Sequence, residues 1–232
     1  MAIGRHLRSW YFPTLVLAGL LLVIAMASSV RAAVGNPRII PPQAVFAGLS
    51  YSEWQARWWQ WVFSLPATDN PIIPGGNVLQ GQSDHVWFLA GVFGVEERSI
   101  TIPPGTALFF PIVNTECSTV EPPPYHGDNE AELRACAKGF TDATSDLAVE
   151  IDGTSLMNLP AYRHQSPLFT FGPLPADNLL GLPVGTTAQS VDDGIYLLLP
   201  PLPVGEHTIH FTASVQGVGT VDTTYSITVA PQ

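Results

Sequence analysis

Hydrophobic and polar residues alternate along much of the chain, most clearly near its end. His207 to Val215 and Val221 to Val229 each place apolar or aromatic side chains at most of their alternate positions, with mainly threonines and serines between, and Gly217 to Gly219 separates them. That period of two, broken by a glycine turn, predicts an antiparallel hairpin. Shorter runs at Val86–Ala90, Ser99–Ile102, Ala107–Ile112, Leu147–Ile151, Leu168–Phe171 and Ile195–Leu199 read as further strands. Pro103-Pro104-Gly105 and Pro203-Val204-Gly205 supply turns between them.

Two segments follow a helical period instead. Ser50-Tyr51-Ser52-Glu53 has the spacing of a capping box and Pro66 closes the segment, which predicts a helix over about Tyr51 to Leu65. Trp54, Trp58, Trp61, Val62 and Leu65 share one side, while Ala56, Trp59 and Phe63 form a second. Only Glu53, Arg57, Gln60 and Ser64 remain as a polar strip, so the helix is expected to be buried against a sheet. A sugar-stacking platform is the alternative use of its tryptophans. A shorter helix is expected from Glu130 to Lys138, capped by Asn129 with Glu132 three residues on. Many short strands, one buried tryptophan-rich helix and one small helix describe a mainly β protein. The expected fold is an antiparallel β-sandwich, immunoglobulin-like or jelly-roll-like.

The first 32 residues stand apart. Arg5 and Arg8 precede an apolar stretch from Leu15 to Ala27, and Ala25-Met26-Ala27 and Val30-Arg31-Ala32 offer small-residue cleavage sites. This layout predicts a secretory signal peptide over residues 1–32, with an uncleaved anchor through the uncharged Ser9 to Val30 as the alternative, a single sandwich domain over 33–232, and a secreted or periplasmic destination. No stable membrane span is expected after cleavage. Removal of residues 1–32 leaves six basic against nineteen acidic residues, a net charge of −13. Such a surface opposes nucleic acid and anionic headgroups. Cys117 and Cys136 are the two cysteines of the chain. In an oxidising compartment they predict a disulfide, worth roughly 3 kcal/mol by the loop-closure model.

Several strings taken together resemble a group of secreted bacterial proteins with no assigned activity. They are Tyr51-Ser52-Glu53-Trp54 with Trp58-Trp59-Gln60-Trp61, Gly81-Gln82-Ser83 with Val86-Trp87-Phe88-Leu89-Ala90-Gly91, and Ala107-Leu108-Phe109-Phe110-Pro111-Ile112-Val113-Asn114. Asp152-Gly153, Tyr162-Arg163, Ser166-Pro167, Ser190-Val191-Asp192-Asp193-Gly194 and Gly205-Glu206-His207-Thr208-Ile209-His210-Phe211 belong to the same set. The resemblance spans nearly all of the chain beyond residue 32 and implies export, and it assigns no functional residue.

Candidate chemistry is sparse. Asp192-Asp193-Gly194 is expected at a turn, where the carboxylates hold Arg163, bind Ca²⁺ or cap the turn. Tyr162-Arg163-His164-Gln165 is an island of donors in an acidic chain, with Arg163 expected to pair internally with Asp192 or Asp193. His207 and His210 lie three apart on a strand and so face opposite ways, which leaves at most one, with His164 or His85, for a common site. No zinc-protease, nucleotide-loop or nucleophile-elbow motif is present, and no metal or cofactor is expected. The candidate ligand-binding residues are therefore Tyr162, Arg163, His164, Asp192, Asp193 and His207. The leading function is a non-enzymatic domain that binds a small molecule, a glycan or an envelope partner. The alternatives are a small hydrolase using a carboxylate pair, and a structural envelope protein.

Overall fold

A computed structural model describes residues 39–82 and 85–231 together with Met1; the expected signal segment, its cleavage sites and Ser83 lie outside the described residues. Among the described residues the fold is mainly β, with two sheets, two α-helices and the tryptophan-rich helix buried, consistent with a β-sandwich.

Two twelve-residue strands form the spine of the first sheet, β3 (Ala107–Ser118) and β8 (Ala188–Leu199), paired antiparallel from Leu108 opposite Leu199 to Ser118 opposite Ser190. The ladder slips between Pro111 and Val113, where a proline has no N–H to give it. β1 (Val86–Phe88) lies on the outer edge of β3, while β6 (Arg163–Gln165) and β7 (Phe169–Phe171) share the outer edge of β8 end to end. β1 and β3 are parallel, a departure from the all-antiparallel expectation. Parallel neighbours need a crossover, and here it is β2 (Gly94–Ile102), which leaves the first sheet and runs beside β10 (Gly219–Val229). Phe93 bridges Val221 at its start, and the Ala230 N–H donates to Ile102 O at 3.1 Å at its end. The second sheet has the order β10, β9 (Gly205–Val215), β4 (Thr144–Ile151), β5 (Thr154–Ser155).

Helix α1 (Tyr51–Ser64) opens on the expected capping box, with Ser50 and Glu53 exchanging bonds. It covers one face of the first sheet, Tyr51, Trp58, Trp61 and Val62 packing on Phe109, Tyr196 and Leu198. On the opposite face, Leu108, Phe110, Ile195 and Leu197 meet Ile209, Phe211 and Tyr225 of the second sheet. Beyond the reach of that sheet, α2 (Glu130–Asp142) takes over the same face, Leu133 and Ala137 packing on Cys117 and Val191. The disulfide Cys117–Cys136 ties it down.

β3 and β8 are thus covered on both sides along their whole length, and this overturns one expectation. Asp192-Asp193-Gly194 is no turn: the three residues sit in the middle of β8, opposite Glu116, Thr115 and Asn114 of β3. β3 also continues past Ile112 to Ser118, and α2 runs one turn beyond Lys138. Polar residues in these stretches hid their strand character: Glu116, Ser118, Asp192 and Asp193 each bond a neighbouring side chain within the protein.

Candidate functional site

Strand alternation divides the residues expected to act together. Adjacent positions on β8 point to opposite faces, so Asp193 joins Arg163 under α2 while Asp192 turns toward α1. Arg163 donates from Nε to Asp193 Oδ1 at 2.6 Å, from Nη1 to Asp142 Oδ1 at 2.7 Å and from Nη2 to Lys138 O at 3.3 Å. Burial works against its charge, but bonding to Asp193 and Asp142 outweighs it and raises the guanidinium pKa. The guanidinium is a clamp between β6, β8 and α2, with its donors engaged inside the protein.

His164 lies on the other face, stacked on Tyr51 at 5.4 Å, and burial lowers its pKa. Tyr162 packs beside Tyr51 at 6.1 Å, and burial raises its pKa. His207 belongs to the second sheet, where its ring contacts Asp152 Oδ2 at 2.8 Å and Pro203 O at 2.9 Å. Partial burial opposes its charge, yet bonding to Asp152 raises its pKa. His210 contacts Asp222 at 2.9 Å. The two histidines therefore serve separate carboxylates, and no three metal-ligating side chains converge among the described residues.

The α1-facing side of β3 and β8 carries a different polar cluster. Asp192 is 0% exposed; its Oδ1 accepts the Trp59 indole N–H at 2.8 Å, and its Oδ2 lacks a hydrogen-bond partner among the described residues. Burial above all lifts its carboxyl well above the usual range, against the bond from Trp59 and the nearby Tyr196 hydroxyl. Glu116, opposite Asp192 across the ladder, is 4% exposed and accepts the Ser190 hydroxyl. Burial first, then repulsion from and hydrogen bonding to Glu121, raise its pKa well above the usual range. Ser118 donates to Glu121 Oε2 at 2.7 Å, and Asn114 donates to the Tyr196 hydroxyl at 2.7 Å. Gly194 leaves room for this packing: a Cβ there would sit 2.6 Å from Asn114 Cβ and 2.7 Å from Tyr196 Cε2.

This cluster underlies a cavity of about 290 Å³. Asn114, Thr115, Glu116 and Glu121 contribute its polar lining. Trp59 and Phe63 come from α1, Phe93 from the lead into β2, Tyr125 from the loop after β3, and Phe140 from α2. Leu179, Leu180, Val215 and Val218 add aliphatic wall. Tyr125 and Phe140 stack at 4.8 Å, and Phe93 is 52% exposed at the rim. A second cavity of about 190 Å³ shares Trp59, Ile72, Phe93 and Asn114 with it. Ile72 is held by Arg98, 7% exposed, which donates to Pro71 O at 2.8 Å, Ile73 O at 3.2 Å and Ala90 O at 3.3 Å.

A larger groove, about 750 Å³, runs past Trp54, Arg57, Gln60, Trp61, His85 and Phe88. Its tryptophans are engaged in structure: Trp54 donates to Phe46 O at 3.1 Å, Trp61 to Gln80 O at 2.8 Å, and both pack on Phe88. With Trp58 and Trp61 buried, the tryptophan row is chiefly core rather than a flat sugar platform.

Sequence reasoning missed Glu116, Glu121, Gln55 and Arg98. Gln55 is fully buried and donates to His164 O at 3.1 Å and Gly194 O at 3.3 Å, docking α1 on β6 and β8. A signal for Glu116 did exist: it precedes a cysteine expected to be bridged, and bridged cysteines are commonly buried.

Fold and cavity define a β-sandwich with an aromatic cleft at the open end of its first sheet. No family model matches the chain, and no curated protein matches it. Among solved structures it is similar to the cysteine protease inhibitor EhICP2 from Entamoeba histolytica, at 12% identity over 62% of this chain and 96% of that chain, with a TM-score of 0.24. A likeness at that score carries no argument about this chain. No helix among the described residues is long and apolar enough to cross a membrane.

Proposed function

We propose that the protein is exported, processed after Ala32, and acts outside the cytoplasm as a non-enzymatic domain holding a small molecule in the aromatic cleft. The observation carrying this reading is the cavity of about 290 Å³ in which apolar walls from separate segments surround Asn114, Glu116 and Glu121. Small-molecule sites have this make-up, a mostly apolar concavity with a few convergent polar groups of shifted acidity. The basic start, apolar stretch and small-residue exit of residues 1–32 support export, and the Cys117–Cys136 bridge suits an oxidising compartment.

Two measurements test it. N-terminal sequencing of the protein recovered from a bacterial periplasm is expected to begin at Ala33; cytosolic protein with an intact N-terminus contradicts export. A fragment screen by ligand-observed NMR is expected to give hits that disappear in Leu180→Trp, which fills the cleft. Hits indifferent to that change contradict the cleft as the site.

The hydrolase reading has one observation in its favour, a Glu116 carboxyl held by burial well above the usual range, beside Glu121 at the cleft. This pair replaces Asp192 and Asp193 as the acid and base candidates. Turnover in a hydrolase substrate panel, lost in both Glu116→Gln and Glu121→Gln, supports it; binding without turnover supports the binding domain.

A further inference from the structure

We propose that the cleft selects an organic cation, an ammonium or quaternary ammonium group on an apolar body, a ligand class that rests on the cleft being the binding site. Three observations carry the assignment. The cavity is walled by Trp59, Phe63, Phe93, Tyr125 and Phe140; Phe63 is stacked between Trp59 and Phe171, and Tyr125 and Phe140 cover one face of each other, which leaves the rim ring of Phe93 and the outer faces of Trp59, Tyr125 and Phe140 to attract a cation through their quadrupoles. Its acidic groups are Glu116 and Glu121, and no Lys, Arg or His among the described residues lines it. The chain beyond residue 32 carries a net charge of −13, which draws cations and repels anions at long range. A neutral sugar would find few hydrogen-bonding groups in the cleft besides the two acids: Asn114, Thr115 and the phenol of Tyr125.

The groups facing Glu116 define how a cation is accommodated. Glu121 comes from the loop after β3, Ser190 and Asp192 come from β8, and Trp59 comes from α1 with its N–H committed to Asp192. Tyr125 stands in the cleft wall and Tyr196 lies next to Asp192. Burial and the neighbouring Glu121 hold the Glu116 carboxyl well above the usual range, which favours its protonated form while the cleft holds no ligand. An entering ammonium takes the proton's place: the Glu116 O–H bond breaks, the proton leaves to solvent, and the resulting carboxylate faces the cation, with no covalent bond to the ligand. Affinity therefore rises with pH until the pH passes the value at which Glu116 of the empty cleft ionises.

The test uses isothermal calorimetry between pH 5 and 7 on the protein recovered after expression of the full chain. Its probes are benzyltrimethylammonium, the neutral carbon isostere neopentylbenzene, and the anion phenylacetate. The cation is expected to bind on the order of tenfold more tightly than the isostere at pH 7. Its affinity should climb by up to about tenfold per pH unit as one proton is released. Glu116→Gln should abolish the pH dependence while remaining folded, since the amide is close in shape to the protonated acid. Phe93→Ala, at an exposed rim position, should weaken the cation about threefold or more. Equal binding of cation and isostere, or tighter binding of phenylacetate, overturns the cation assignment and leaves the cleft as the site. Binding of none of the three overturns both.

Discussion

Replacing Asp192 with asparagine changes one buried oxygen acid into a neutral amide of the same shape. In the folded protein this carboxyl is 0% exposed and its pKa is raised well above the usual range by burial, so the native state retains a proton that the unfolded chain releases. Glu116 behaves in the same way. The sign follows from proton counting. Where the native state binds more protons than the unfolded one, stability falls as pH rises, by about 1.4 kcal/mol per pH unit for each such group. The fall begins above the unfolded pKa of about 4 and ends at the folded value. Asp142 and Asp177 have lowered pKa values, and their contributions are fully present above pH 5, so they add no slope in this window. Wild-type stability should therefore decline from pH 5 to pH 7, by as much as about 2.7 kcal/mol per unit with both groups contributing. Asp192→Asn should decline about half as steeply, and Asp192→Asn with Glu116→Gln should keep only the slope of the histidines, His126 and His207 with raised pKa values opposing His164 with a lowered one. Urea denaturation followed by tryptophan fluorescence at pH 5, 6 and 7 measures all three slopes. A wild-type stability that is level or rises over this range, or identical slopes in wild type and Asp192→Asn, refutes the reasoning.

Other parts of the molecule give simpler expectations. Gly194→Ala drives a methyl to within 2.6 Å of Asn114 Cβ and 2.7 Å of Tyr196 Cε2; chemical denaturation should show a loss of about 2 kcal/mol or more. Arg98→Met leaves the Pro71 carbonyl without its buried donor, while Ala90 O keeps the Tyr225 hydroxyl and Ile73 O keeps the Gly76 N–H; it should cost about 2 kcal/mol by the same assay, while loosening Ile72 and weakening any ligand of the adjoining cavities. Cys117→Ser with Cys136→Ser opens the loop that anchors α2 and should lower stability by roughly 3 kcal/mol, with wild type falling to the same value under reductant.

The sandwich was legible because its signals are local. Alternation in His207–Val215 and Val221–Val229, the Gly217–Gly219 turn and the Ser50–Glu53 box each act within a few residues of themselves. Asp192-Asp193-Gly194 misled because acids beside glycine usually mark a turn. Here Arg163 satisfies one acid from the α2 side, a tryptophan donates to the other from the α1 side, and glycine makes room for Tyr196. The same alternation that separates His207 from His210 also separates Asp192 from Asp193, once both acids are recognised as strand residues. The cleft was out of reach for a different reason. Its walls come from positions as far apart as Trp59, Phe93, Tyr125, Phe140, Leu180 and Val218, and no spacing rule along one chain brings such segments together.

On the proposed reading, the aromatic cleft, and not the tryptophan groove on the other side of α1, is expected to receive the ligand. An NMR titration with benzyltrimethylammonium, on protein labelled at tryptophan indoles and at leucine and valine methyls, tests this most directly. Shifts are expected at the Trp59 indole and at the methyls of Leu179, Leu180, Val215 and Val218. Shifts concentrated at Trp54 and Trp61, or none at all, would contradict the account.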